Sequence, residues 1–190
     1  MLEVKHINEQ IVLGILDLKQ FSSYYSISHH REIERNGSLY VLKTLLNDAK
    51  IQVEYSAEGK PYLQNRSEHM SISHSHDKLV VCINNKENTG VDIELIREKV
   101  LSIQHKFLSN NERLLANQEV QKLIIFWAAK ETLYKLHGLK GLDFIKNIFI
   151  QNFGETEIIG KITINQTKKT FLLRWEKVDN YILVYALNEI

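Results

Sequence analysis

Apolar and polar positions along the chain follow two periods, which separate predicted strands from predicted helices. Short runs of branched and aromatic residues bounded by polar turns predict strands at 11–18, 51–55, 79–83, 91–95, 169–175 and 181–186. Apolar residues at helical intervals predict helices over 31–47, around 111–116 and over 120–136. Gly138 follows the last pattern as its C-terminal stop.

These elements are mixed without strict alternation, which favours an α+β fold with small antiparallel sheets over a doubly wound parallel sheet. The polar segment 84–90 is predicted to join strands 79–83 and 91–95 as a hairpin. With one proline and eight glycines, the chain has no Pro/Gly-rich linker. Any lobes are therefore expected to pack directly on each other.

Composition narrows the class of protein. The 190 residues are 44% hydrophobic and 25% charged, which suits one generous domain or two compact lobes. The net charge is +1 and no basic block occurs, so a general nucleic-acid binder is disfavoured. No apolar run approaches the ~18 residues that span a bilayer, which predicts a cytoplasmic protein without a membrane partner. Cys82 lies in an apolar run and is interpreted as a buried hydrophobe.

Two carboxylates alternate with apolar residues in segment 90–95 (GVDIEL). The two-residue period of a strand places Val91, Ile93 and Leu95 on one face, expected in the core, and Asp92 and Glu94 together on the other. From this spacing alone, a solvated polar face and a functional acid pair both remain open.

A third carboxylate stands in the apolar helix predicted over 120–136. Trp127, Glu131 and Lys135 recur every four residues and so share one stripe of that helix. The stripe could be a surface Glu–Lys pair beside a core tryptophan, or it could face a ligand. Together with Asp92 and Glu94, Glu131 would form a set of hard oxygen ligands suited to Mg²⁺.

The histidine-rich run 69–76 (HMSISHSH) invites a zinc interpretation, but no cysteine and no spaced second ligand pair accompany it. Alternating serine and histidine at a strand end more naturally present donors to an anion. His29, His30 and His105 show no partner pattern and are interpreted as surface residues. Nucleophile-elbow, P-loop and dinucleotide-binding motifs are absent.

Five short segments in order resemble motifs of the 4'-phosphopantetheinyl transferase superfamily: 59–63 (GKPYL), 71–75 (SISHS), 90–94 (GVDIE), 106–109 (KFLS) and 126–135 (FWAAKETLYK). The length is similar to that of its two-lobed, Sfp-like monomeric class. The resemblance implies two similar lobes related by a pseudo-twofold axis, each a small, mostly antiparallel sheet packed with helices. The lobes are expected at 1–77 and 78–190, with the metal-binding acids on the second and a ligand cleft between them.

The resemblance also implies roles for the candidate acids. Asp92, Glu94 and Glu131 correspond to acids that bind Mg²⁺ in the family. Glu131 is further implied as the general base, acting directly or through a metal-bound water. Lys135 is similar to a catalytic lysine that contacts the phosphates of coenzyme A.

Other residues resemble those that hold the nucleotide end of coenzyme A. Lys60, Ser73 and His74 match positions that contact it, including its 3'-phosphate. Arg35 lies in the helix that is basic in family members, although Gly37 is expected to weaken this helix here.

The activity implied is transfer of 4'-phosphopantetheine from coenzyme A to a serine of an apo acyl or peptidyl carrier protein, which releases adenosine 3',5'-bisphosphate. Two alternatives remain. One is a catalytically silent module that binds coenzyme A or a carrier protein. The other is a different Mg²⁺-dependent phosphoryl or phosphodiester enzyme that uses the same acids without a carrier protein.

Overall fold

The computed structural model describes residues 1–190, and its elements mix helices with antiparallel strands. In chain order they are β1 (Leu2–His6), β2 (Ile11–Asp17), α1 (Leu18–Tyr25), α2 (His30–Leu45), β3 (Val53–Tyr55), β4 (Pro61–Leu63), β5 (His69–Ser75), β6 (Lys78–Asn84), β7 (Val91–Leu95), α3 (Lys99–Ile103), a 3-10 turn (Gln104–Lys106), α4 (Asn110–Ala116), α5 (Val120–His137), β8 (Ile148–Phe153), β9 (Glu157–Ile164), β10 (Thr167–Val178) and β11 (Tyr181–Glu189).

The first sheet has the strand order β1-β2-β6-β5, and every neighbouring pair is antiparallel. Helix α2 packs on one face of it, where Val41 and Leu42 join a core cluster with Leu16. Gly37 lies inside α2, and a Cβ there would come 3.0 Å from a methyl carbon of Leu16. The glycine that weakens the helix by propensity therefore also allows its close approach to β2.

The second sheet has the order β7-β11-β10-β9-β8, again antiparallel throughout. Helix α5 packs on it through an apolar surface that continues around most of the helix, so that ten of its 18 residues are buried. The α+β class with antiparallel sheets packed with helices is thus confirmed. Gly138 ends α5 in the left-handed conformation with φ of 78°, as the sequence predicts.

The two sheets face each other through a third core cluster, which excludes both long helices. Alternate residues of β2 and β6 meet alternate residues of β7 and β11 across this cluster: Ile11, Leu13, Ile15, Val80, Cys82, Val91, Ile93, Tyr181, Leu183 and Tyr185. Each sheet is therefore covered by a helix on one face and by the other sheet on the opposite face. Cys82 is fully buried here, and burial raises the pKa of its thiol to about 12, which is consistent with the interpretation as a core residue.

The predicted hairpin between β6 and β7 is wrong. β6 pairs with β2 and β5 in the first sheet, whereas β7 pairs with β11 in the second. Segment 85–90 crosses between the sheets instead of turning back on its own strand. Because β5 and β6 form one antiparallel pair, a division at residue 77 would separate paired strands, and we propose that the lobe boundary lies in segment 85–90.

Five strands were not predicted from the sequence, namely β1, β4, β5, β8 and β9, and all five lie at or beside a sheet edge. The small pair β3 and β4 forms a separate two-stranded sheet that carries the 59–63 turn beside α5. None of the helices combines the length and apolar character needed to cross a membrane.

Candidate active site

Strand β7 presents its two acids toward α5, away from the core between the sheets. Val91 and Ile93 are fully buried in that core, and Asp92, on the opposite face, is itself only 2% exposed. The alternation predicted from the sequence is confirmed, but the opposite face is covered by α5 instead of solvent. A carboxylate buried to this degree requires compensating partners.

Asp92 has such partners on only one of its oxygens. Oδ1 accepts hydrogen bonds from the hydroxyl of Ser73 and from Nζ of Lys135, each at 2.7 Å. Oδ2 is buried and has no hydrogen-bond partner. The free oxygen is therefore a coordination position that the protein itself leaves unused.

Glu94 is held by two donors. Its Oε2 accepts from the hydroxyl of Ser75 at 3.0 Å, and its Oε1 accepts from the indole N–H of Trp127 at 3.0 Å. Burial has the largest effect on the pKa of this carboxyl and raises it above its ordinary value. The negative charge of Asp92 raises it further.

Glu131 enters the site from α5, between Trp127 and Lys135 on one stripe of the helix. Burial and the nearby charges of Asp92 and Glu94 raise the pKa of its carboxyl to about 7, and no hydrogen-bond donor contributes to the shift. The structure thus brings Asp92, Glu94 and Glu131 into one mutually repelling group, which we call the acid cluster. Asp92 and Glu94 are therefore more than the solvated face of a strand, and Glu131 and Lys135 are more than a surface ion pair.

The acid cluster is not arranged as a ready metal cage. No group of three or more His, Cys, Asp or Glu side chains is positioned to hold a metal ion. The ammonium of Lys135 instead provides positive charge beside Asp92, and it also donates to the carbonyl oxygen of Val91 at 3.2 Å.

Two adjoining cavities share Pro61 and Ile72 in their linings, and the smaller is also lined by Lys135, the partner of Asp92. None of the three acids lines either cavity. The smaller has a volume of about 240 Å³ and is lined by Lys60, Lys135 and Lys140 among others. The larger has a volume of about 810 Å³, and its polar lining includes Arg31, Glu34, Arg35 and His74. Together they form a groove whose lining carries these cationic groups and also the carboxylates of Glu34, Glu54 and Glu58.

Three of the four residues predicted to hold a nucleotide line this groove, and the fourth does not. Arg35 and His74 line the larger cavity, where Nδ1 of His74 lies 3.0 Å from Oε1 of Glu34. The same glutamate lies 2.9 Å from Nδ1 of His30, which the sequence had left without a partner. Ser73 lines neither cavity, and its hydroxyl donates to Asp92.

Lys60 lies in the smaller cavity and reaches across to the end of α5. Its Nζ donates to the carbonyl oxygen of Leu136 at 3.2 Å and approaches Oδ1 of Asn88 at 3.4 Å. Burial lowers the pKa of this ammonium. Its aliphatic stem packs on Gly138, where a Cβ would lie 2.6 Å from Cδ of Lys60.

Sequence reasoning did not assign the donors that hold Glu94. Ser75 follows Ser71 and Ser73 at the strand period, and Trp127 lies one helical turn before Glu131, so both signals were present.

Lys130, the neighbour of Glu131, contacts a different set of residues. It is fully buried, and its Nζ donates to Oε2 of Glu112 at 2.8 Å and to two backbone carbonyls.

Comparison with known proteins agrees with this geometry. The sequence model of the 4'-phosphopantetheinyl transferase superfamily matches residues 88–186, just over half of the chain. The chain is also similar to a protein of Aneurinibacillus migulanus named 4'-phosphopantetheinyl transferase gsp, with 32% identity over 106 residues. That alignment covers 53% of this chain and 44% of the relative, so the similarity spans less than half of the relative's length. The matched half contains β7 and α5, and the chain belongs to the 4'-phosphopantetheinyl transferase superfamily.

Proposed function

We propose that this protein transfers 4'-phosphopantetheine from coenzyme A to a serine hydroxyl of an apo acyl or peptidyl carrier protein, with release of adenosine 3',5'-bisphosphate. The observation that carries the proposal is the ion pair of Asp92, a member of the acid cluster, with Lys135, whose side chain also lines the groove. Family membership supports the same chemistry.

The groove suits a ligand with separated phosphates. The donors Lys60, Lys135 and Lys140 in the smaller cavity match the diphosphate of coenzyme A, which contains the bond that breaks. Arg31 and Arg35 in the larger cavity match the 3'-phosphate of the nucleotide end, since guanidinium groups bind phosphate through two parallel hydrogen bonds. His74 would join them once a phosphate competes with Glu34 for its ring.

The acid cluster suits Mg²⁺ by the chemistry of its donors, since this ion prefers a few carboxylate oxygens together with water and phosphate oxygens, although the three side chains would have to move closer together to share one ion. Asp92 offers an unused buried oxygen, and the Glu131 carboxylate has no donor to give up. Asp92, Glu94 and Glu131 would hold the ion. When bound, Mg²⁺ supplies positive charge that offsets the charge developing on the diphosphate oxygens.

Lys135 would then change partners. With cationic charge on the acid cluster, its ammonium is no longer needed by Asp92 and is free to donate to a phosphate in the smaller cavity, which its side chain already lines. Its role is to bind and orient the diphosphate and to stabilise the leaving phosphate.

Glu131 is the proposed proton acceptor for the carrier serine. Burial and the neighbouring acids raise the pKa of its carboxyl to about 7 when no ion is bound, and a Mg²⁺ ion held by the same carboxylate would lower it. The proposed role therefore depends on the position of Glu131 beside the diphosphate site and not on unusual basicity. The proton passes from the serine hydroxyl to a carboxylate oxygen of Glu131, directly or through a water. The serine oxygen then attacks the β-phosphorus, and the bond to the nucleotide phosphate breaks.

The test is to incubate the protein with Mg²⁺, coenzyme A and an apo carrier protein, and to measure the carrier's mass. One added phosphopantetheine on the serine is expected, and it should be absent with Glu131→Gln. A folded protein that binds coenzyme A without modifying any acyl or peptidyl carrier would contradict the proposal and favour a silent binding module. Hydrolysis of a diphosphate without carrier modification would favour a different phosphodiester enzyme.

A further inference from the structure

Glu94 differs from the other members of the acid cluster because both of its oxygens are already fixed by donors. Ser75 holds Oε2 from β5, in the first sheet, and Trp127 holds Oε1 from α5, which packs on the second. By contrast, Oδ2 of Asp92 is unpartnered, and no donor reaches Glu131. The carboxylate plane of Glu94 is thus set before any ligand arrives.

The direction of the Ser75 hydroxyl is itself determined. Its oxygen accepts the backbone N–H of Leu95 at 3.3 Å, and its single proton is therefore available to Glu94. The strand around Ser75 pairs with β6, where Ser75 lies opposite Lys78. A donor fixed at both its backbone and its hydroxyl imposes one position on its acceptor.

The indole of Trp127 is fixed in a similar way by aromatic packing. The ring of Phe107 meets it edge-on with centroids 4.9 Å apart, and the ring of Phe144 packs against it in a tilted arrangement with centroids 5.6 Å apart. These contacts leave the indole N–H directed at Glu94. The geometry is that of an anchored donor, and not of a ring that turns to find an acceptor.

Ser75 also belongs to a row of serines, Ser71, Ser73 and Ser75, that links the two sheets. The Ser71 hydroxyl accepts the backbone N–H of Val91 at 3.1 Å, and Ser73 donates to Asp92. β7 is an edge strand of the second sheet, so these hydroxyls take the place of a neighbouring strand on its free side. Packing of the sheets is thereby coupled to the orientation of the acids.

We propose that Ser75 and Trp127 are positioning residues, which fix the orientation of the Glu94 carboxylate for binding a divalent cation. The proposal rests on the proposed function only for what the bound ion does in the reaction. Neither residue lines either of the two cavities. Partners that orient a metal ligand commonly change metal affinity by about 10- to 100-fold when they are removed.

The first experiment measures Mg²⁺ affinity of the folded protein by calorimetry. Ser75→Ala and Trp127→Phe, which each delete one donor, are expected to weaken Mg²⁺ binding about 10-fold or more. Ser75→Thr keeps the hydroxyl and should bind close to the unmodified chain. Trp175→Phe is the matched control, because Trp175 donates its N–H to the carbonyl of Gly154 in the turn between β8 and β9. Parent-like affinity in both donor-deleted variants would overturn the proposal.

The second experiment measures the unmodified chain, with one substituted variant used only to assign a resonance. The chain has two tryptophans, so ¹⁵N labelling gives two indole N–H resonances, which Trp127→Phe assigns. Titration with Mg²⁺ alone should shift the Trp127 resonance and leave that of Trp175 unchanged. Saturation with Mg²⁺ that leaves the Trp127 resonance in place would refute a link between the indole and the cation.

These readouts separate the inference from the proposed activity. If the parent transfers no phosphopantetheine but the Trp127 resonance responds to Mg²⁺ and Ser75→Ala weakens binding, the positioning role stands and the transferase assignment fails. If transfer occurs and neither donor affects Mg²⁺ binding, the transferase assignment stands and the positioning role fails.

Discussion

Nζ of Lys135 lies 2.7 Å from Oδ1 of Asp92, and this ion pair links α5 to β7 at the centre of the site. Asp92 is nearly inaccessible whereas Lys135 is partly exposed, so the lysine can leave the pair far more easily than the acid can. The pair gives the metal-free site a counter-charge and places the lysine where a phosphate would be bound.

Lys135→Ala should affect both stability and substrate use. Loss of a charge-assisted bond to a buried carboxylate is expected to lower the free energy of unfolding without Mg²⁺ by about 1–3 kcal/mol, measured by urea titration. The same change should raise the KM for coenzyme A by about 10- to 100-fold. Lys122→Ala removes an exposed pair with Glu119 and is the control, with an expected effect of about 0–1 kcal/mol and no change in KM. An unchanged KM in Lys135→Ala would remove this residue from phosphate binding.

Glu131→Gln should stabilise the metal-free protein while it abolishes activity. The amide removes one of three mutually repelling charges from a buried site, so the melting temperature without Mg²⁺ is expected to rise. Loss of the proton acceptor should reduce the rate of transfer by about 10²- to 10⁴-fold. Glu119→Gln, at an exposed and ion-paired position, should change neither quantity. Retention of most of the transfer rate would exclude Glu131 from the chemistry.

Lys130 should contribute to the stability of the fold and not to the transfer reaction, although it is the sequence neighbour of Glu131. Lys130→Met leaves the buried carboxylate of Glu112 without its counter-charge, and we expect a loss of about 3–5 kcal/mol in the free energy of unfolding. Adding Glu112→Gln, which neutralises the acid, should recover part of that loss. Measurement of both variants by chemical denaturation, with Mg²⁺ present and absent, should show no recovery by the ion. A Lys130→Met protein with parent stability and no activity would contradict this assignment.

Arg35→Ala should discriminate between coenzyme A and its 3'-dephospho form. If Arg35 contacts the 3'-phosphate from the larger cavity, the variant is expected to raise the KM for coenzyme A about 10-fold and leave that for dephospho-coenzyme A unchanged. Arg174→Ala, an exposed arginine paired with Glu157 on the second sheet, is the control. Equal effects of Arg35→Ala on both substrates would place the arginine elsewhere on the ligand.

The segment that matches the family model, 88–186, should not fold when it is expressed alone. Its strands β7 and β11 place Val91, Ile93 and Leu183 against the first sheet, and removal of that sheet would expose this apolar face to water. Circular dichroism and amide dispersion in NMR spectra are expected to show an unfolded or aggregated segment, beside a folded full-length chain. A monomeric segment with native-like dispersion would show that the second sheet is an independent unit.

The sequence correctly predicted which face of a strand each side chain occupies, but it did not predict which strands pair with each other. Alternation in 90–95 correctly placed Val91 and Ile93 in the core and Asp92 and Glu94 opposite, because side-chain direction depends only on neighbouring residues. Alternation carries no information about which strand lies alongside, so the pairing of β7 with β11, some ninety residues later, was not predictable and a local hairpin was expected instead.

The same distinction applies to the site. Helical spacing correctly grouped Trp127, Glu131 and Lys135, because it reflects the local geometry of one helix. The hydroxyls of Ser73 and Ser75 reach the acids across the junction of two sheets, and the buried pair of Lys130 with Glu112 joins two helices. Such contacts arise only from the packing of distant segments, and an isolated lysine or serine in the sequence gives no sign of them.

The serine row has a consequence for the kinetics of ligand capture. A motion that spread the two sheets apart would withdraw Ser73 and Ser75 from Asp92 and Glu94, and the acids would lose their alignment just as a substrate arrived. A hinge motion of the two sheets during ligand entry is therefore disfavoured, and coenzyme A is expected to enter the groove from solvent without such a motion. The association rate should then follow ionic strength, as attraction between anion and cationic walls is screened, and should depend little on solvent viscosity beyond simple diffusion.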